Sequence, residues 1–151
     1  MLRVSTCKSS NDYYSIYDCS SWHSWCFTKY SSTLLFNFLA GKECEVFAAL
    51  FDIDLKATDD DQGDQTEKTK VVIPDLSVIC DKTKLSENKY VGSPELIIEI
   101  ISPSNQAHDL VKKLNLYMQC GVKEYWIVNP LLNTVQIYVL YEEGQYHQVE
   151  V

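Results

Sequence analysis

Three side chains of types that do hydrolytic chemistry fall where apolar residues would be expected. Asp75 lies in VVIPDLSVIC, Glu99 in PELIIEIISPS and Lys113 in HDLVKKLNLYM. Carboxylates are rarely buried without a partner, because an unsolvated charge costs several kcal/mol. Glu99 follows Leu96, Ile97 and Ile98 and precedes Ile100 and Ile101, which reads as a strand buried on both faces. A cation shared with Asp75 is the sharpest candidate for compensating it. Hard cations held by carboxylates neutralise a phosphodiester and activate the attacking water, and a lysine within a few Å orients that water or stabilises the developing charge. Each residue also has a plainer reading. Asp75 would be a turn residue after Pro74, Glu99 the partner of a core Lys or Arg, and Lys113 one half of an i,i+4 salt bridge with Asp109. His23 reads as an incidental surface residue.

The elements around these residues must bring them together. Val71 to Cys80 has strand composition, but Pro74 lacks an N–H and demands an edge, bulge or bend immediately before Asp75. Asp81 to Ser93 reads as a polar loop. Pro94 and Pro103 bracket the next strand, where alternation puts Glu95, Ile97, Glu99 and Ile101 on one face and Leu96, Ile98 and Ile100 on the other. A helix capped by Ser104 or Asn105 and stopped at Gly121 follows. Its buried face is Leu110, Leu114, Tyr117 and Met118, with Lys113 and Asp109 on one flank and Lys112, Asn115 and Gln119 toward solvent. The chain then returns to an apolar strand, EYWIV at 124–128, so strand, helix and strand form a crossover with parallel strands. Thr134 to Tyr141 and Gln145 to Val151 form a terminal antiparallel hairpin.

The first half is less regular. Residues 1–33 are rich in Ser, Tyr and Cys and show no clean period beyond a weak strand at Tyr13 to Tyr17. Tyr30 to Leu39 fits an amphipathic helix ending at Gly41. Glu45 to Leu55 is a strand whose apolar phase shifts midway, a bulge or bend, and 57–70 is an exposed acidic loop. At 151 residues a single domain, 1–151, is expected. No run reaches the ~18 apolar residues of a membrane span and no signal-peptide layout opens the chain, so the default is a cytoplasmic protein with no membrane partner. The six cysteines lack metal-type spacing and read as scattered reduced thiols. A net charge of −8 argues against a protein that coats nucleic acid, although four aspartates of the acidic loop, Asp59, Asp60, Asp61 and Asp64, supply half of it.

The order PD, then Glu inside an apolar strand, resembles the PD-(D/E)xK nuclease superfamily. More narrowly, PDLSVIC, PELIIEIISPSN and HDLVKKLNLYMQCGVKEYWIVNPLLNTVQIYVL are similar to the Uma-type restriction-endonuclease family, formerly a domain of unknown function. The resemblance covers about 34–151 and rests on the combination of PD, EIISPS, DxxxKxxxY and GVKEYW. It implies a restriction-endonuclease-like α/β fold, a mixed central sheet flanked by helices with a C-terminal hairpin. It makes Asp75 and Glu99 ligands of Mg²⁺, with Mn²⁺ as a substitute. The motif's lysine would fall at Ile101. The matching basic residue lies on the following helix at Lys113, with Asp109 supporting it. Before residue 34 the usual Tyr-Glu-Leu, Asp-Gly and His-Gln features reduce to IYD and His23, with Tyr13 and Tyr14 where Asp-Gly would stand, so 1–33 reads as a degenerate version.

The resemblance implies a Mg²⁺-dependent endonuclease acting on double-stranded DNA as a homodimer. The alternatives are a catalytically inactive nuclease-fold module that binds nucleic acid or protein, and a metal-dependent hydrolase of other phosphate compounds. Three structural expectations follow. The strands of Asp75, Glu99 and Trp126 share one mixed sheet with the Ser104 to Cys120 helix against it. Asp75 and Glu99 approach within about 4 to 6 Å, and their repulsion raises at least one pKa. Lys113, not Lys112, completes the site.

Overall fold

The structure, a computed structural model, describes residues 23–56, 70–101 and 107–150. The weak strand at Tyr13 to Tyr17, nearly all of the acidic loop and the expected helix cap at Ser104 or Asn105 lie outside the described residues.

Helix α1 spans His23–Leu39, so it begins well before Tyr30. Its first turns contain Ser, Thr and aromatic residues and are weak in intrinsic propensity. Phe27, Leu35 and Leu39 pack on the sheet, while Tyr30, Leu34 and Phe38 face outward. Gly41, at φ 78°, takes the left-handed position that ends the helix.

The two expected long strands are each broken in two. Glu45 to Leu55 divides into β1 (Glu45–Ala48) and β2 (Asp52–Leu55), with Leu50 at φ 78° between them. Val71 to Cys80 divides at Pro74 into β3 (Lys70–Val72) and β4 (Leu76–Ile79). β1 pairs with β4 and β2 with β3, both antiparallel, so one long ribbon bends and passes from one sheet into another. The Ala49 N–H bonds the Asp75 carbonyl at 2.9 Å across the bend. The segment expected to be a polar loop contains a 3-10 turn at Lys82–Lys84 and a short strand, β5 (Lys89–Val91), which pairs parallel with β2.

The rest follows the expected order: β6 (Leu96–Ile100), α2 (Ala107–Gln119), β7 (Glu124–Asn129), β8 (Thr134–Leu140) and β9 (Tyr146–Val149). The six-stranded sheet runs β1-β4-β6-β7-β8-β9, parallel only at β6–β7, and the three-stranded sheet runs β3-β2-β5. The fold is mixed α/β, with β4, β6 and β7 adjacent as expected.

The alternation of β6 divides the core. Ile98 and Ile100 join Leu76, Val78 and Val128 on the α1 side. Ile97 joins Tyr117, Tyr125, Ile127, Ile53, Leu55 and Tyr90 on the other, so α2 and the small sheet share one apolar cluster.

One reading is corrected. Cys44 and Cys80 form a disulfide, because β1 and β4 are registered with Glu45 opposite Ile79 and the two cysteines occupy the next positions outward. Cys120 is free and buried. Among the described residues no helix is long and apolar enough to cross a membrane.

Candidate active site

Asp75 is the first residue beyond the proline bend, immediately before β4. The antiparallel register sets Leu76 opposite Ile98, and carried one residue further it sets Asp75 opposite Glu99. The Asp75 carboxylate is fixed there, since its Oδ2 accepts the Ile100 N–H at 2.7 Å. It therefore lies against the peptide that follows Glu99.

Glu99 is 4% exposed and sits on the α2 face of β6. Its Oε1 takes two donors from that helix, the Tyr117 hydroxyl at 2.8 Å and the Lys113 ammonium at 3.0 Å. Lys113 also lies 3.8 Å from Asp109, one turn earlier. Asp109, Lys113 and Tyr117 are spaced by four residues, so they form one row along α2 pointing at β6. Lys112 is exposed, as its position on the helical wheel requires. Ile101 packs against the apolar cluster, so the positive charge at this site comes from the helix and not from β6.

Burial is the main reason the Glu99 carboxyl titrates above the ordinary carboxylate range, opposed by Lys113 and Tyr117. Repulsion from Asp75 adds to the rise, but as the smallest contribution. The cause is thus chiefly desolvation, where the sequence reading expected a carboxylate pair. Burial followed by the Glu99 charge pushes the Tyr117 phenol far up, so it is a protonated donor at neutral pH.

Glu99 has the charged partner that its burial demanded, and that partner is Lys113. The plain reading of a core ion pair and the site reading therefore meet in one contact. Among the described residues no group of three or more His, Cys, Asp and Glu side chains gathers in the manner of a metal cage. The donor set still suits Mg²⁺, which takes one or two carboxylates and completes its shell with water and phosphate oxygens. Within the described hydrogen bonds, Glu99 uses Oε1 and Asp75 uses Oδ2, which leaves one hard oxygen on each for a cation.

Two participants escaped the sequence reading. The Ile100 N–H is a backbone group with no residue signal. Tyr117 was assigned to the buried helix face, and its spacing of four from Lys113 is the sign that it also faces Glu99.

Residues 21–151 match the family Uma2, described as "Putative restriction endonuclease", a match that begins earlier than the resemblance drawn from residue 34. A Synechocystis protein described as uncharacterized is 27% identical over 116 residues, covering 76% of this chain and 56% of that protein. The crystal structure of a "putative nuclease belonging to DUF820" from Anabaena variabilis superposes with a TM-score of 0.64 at 16% identity, covering 83% of this chain and 66% of the other. That likeness establishes a shared fold. This chain spans little more than half the length of the Synechocystis relative.

Proposed function

The chain belongs to the Uma2 family, and from that premise we propose that it is a Mg²⁺-dependent endonuclease hydrolysing phosphodiester bonds in double-stranded DNA. The observation that carries the proposal is the placement of a buried glutamate beside both a lysine and the carboxylate that follows a strand-breaking proline. Asp75 and Glu99 would hold Mg²⁺, or Mn²⁺ in its place. Such a cation offsets phosphate charge and makes bound water a nucleophile near neutral pH.

The chain's own groups do the remaining work. The Ile100 N–H holds the Asp75 carboxylate in place. Lys113, held between Glu99 and Asp109, presents a fixed positive charge that orients water or stabilises charge on the phosphate oxygens. Cleavage of two strands suits a two-fold homodimer, and the cytoplasm is where such an enzyme meets DNA.

Nicking of plasmid DNA tests this reading. Wild type should cut only with Mg²⁺ or Mn²⁺, Asp75→Ala should not cut, and Lys113→Ala should still fold, at a lower melting temperature because Glu99 loses its charged partner, and turn over about 10² to 10⁴ times more slowly. Lys112→Ala should resemble wild type. Equal activity of the two lysine variants would assign Lys113 a structural role. A wild type that never cuts DNA would favour the second reading, an inactive nuclease-fold binding module. That reading draws support from the Lys113–Glu99 pair, which satisfies the buried carboxylate without a cation. Activity confined to small phosphoesters would select a different phosphate hydrolase.

A further inference from the structure

We propose that Tyr117 is a positioning residue that turns the Glu99 carboxylate so that Oε1 faces the helix and Oε2 is left for the cation. The inference rests on the metal-binding reading above. Lys113 and Tyr117 both reach Oε1, and among the described residues no hydrogen bond falls on Oε2. The two donors differ in stiffness. Lys113 reaches Glu99 through a flexible four-carbon stem, its side chain is 28% exposed, and Asp109 draws it the other way. Tyr117 is fully buried, has two side-chain torsions, and packs edge-on against the Tyr125 ring at 4.9 Å between centroids. A rigid, dry phenol is the better guide for a carboxylate, in the way that outer partners of metal ligands fix ligand orientation.

The same cluster supplies a control. Tyr125 is equally buried, yet among the described residues its hydroxyl has no hydrogen-bond partner. Tyr117→Phe and Tyr125→Phe each delete one buried hydroxyl and keep the ring, and only the first removes a hydrogen bond to Glu99.

Calorimetric titration with Mn²⁺ alone, in the absence of DNA, reads the effect. Wild type should bind, Asp75→Ala should not, and Tyr117→Phe should bind about 10- to 100-fold more weakly, while Tyr125→Phe matches wild type. In plasmid cleavage at saturating Mn²⁺, kcat of Tyr117→Phe should fall with KM for DNA unchanged. Equal Mn²⁺ affinity in wild type and Tyr117→Phe, with Asp75→Ala still defective, would overturn the positioning role and leave the metal site standing. A wild type that binds no Mn²⁺ would overturn both. Should Tyr117→Phe not fold, wild type answers on its own. Mn²⁺ should produce a tyrosine ultraviolet difference band that is missing with Asp75→Ala, and Mn²⁺ binding without such a band would count against the proposal.

Discussion

Glu99 carries a charge where its neighbours carry methyl groups, and that contrast made it legible from sequence. An acid inside LIIEII needs compensation whatever the fold, and Lys113 was found because a helical period placed it on the flank facing the sheet. Tyr117 was not legible as a polar participant, since a tyrosine on a buried face satisfies the apolar pattern by its ring alone. The titration of Glu99 has a testable consequence. Its folded pKa is raised, chiefly by burial, so its contribution to stability is fully present below the unfolded pKa of about 4.3 and is lost as pH rises through the folded value. Glu99→Gln keeps the shape and cannot ionise. Its melting temperature should therefore exceed that of wild type at neutral pH, and the two should converge below about pH 4. Paired thermal melts across that range check the sign. A wild type that melts above Glu99→Gln at neutral pH would mean that Lys113 and Tyr117 outweigh desolvation.

At the scale of elements, the sequence showed where the chain bends but not what the bends connect. The phase shift near Leu50 and the proline at 74 both marked irregular strands, and both positions are breaks. Alternation has the same period on either side of a break, so it cannot tell that β1 and β2 enter different sheets. β5 was missed because it is three residues long and only Tyr90 is buried within it. Helix α1 was read too short because the composition of its early turns, rich in Ser, Thr and aromatic residues, carries little local helix signal. The bend at Leu50 is strained by sequence, as a leucine occupies left-handed space while 91% exposed, losing backbone energy without gaining burial. Leu50→Gly should stabilise the protein by about 1 kcal/mol, the steric relief exceeding the added chain entropy of glycine. A rise in the urea midpoint at unchanged slope would confirm it, and a fall would show that Leu50 makes contacts that hold the ribbon's bend.

Over the whole molecule the charge of −8 was legible from composition, whereas the Cys44–Cys80 pairing was not, because residues 36 apart meet only through the register of β1 on β4. The charge bears directly on how such a protein would hold DNA. Phosphate binding ordinarily draws on free Lys and Arg, yet this chain has 13 of them against 21 acids, and Lys113 is already paired. In ordinary salt, with a Debye length of about 10 Å, a net charge of −8 opposes the approach of a polyanion. On the proposed reading, affinity would come from cations shared between the Asp75–Glu99 carboxylates and the phosphates, not from a basic face. The expected outcome is that double-stranded DNA binds at least ~10-fold more tightly in Ca²⁺, a hard oxygen-seeking cation, than in chelator, with a salt slope that corresponds to no more than about three phosphate contacts. Changing Asp59, Asp60, Asp61 and Asp64 together to Asn should tighten binding in both conditions and leave the ratio between them intact, because it lowers the net negative charge equally with and without Ca²⁺. Fluorescence anisotropy with a labelled duplex measures both quantities. Tight binding in chelator with a steep salt slope would place the DNA on a basic surface elsewhere and remove the two carboxylates from its recognition.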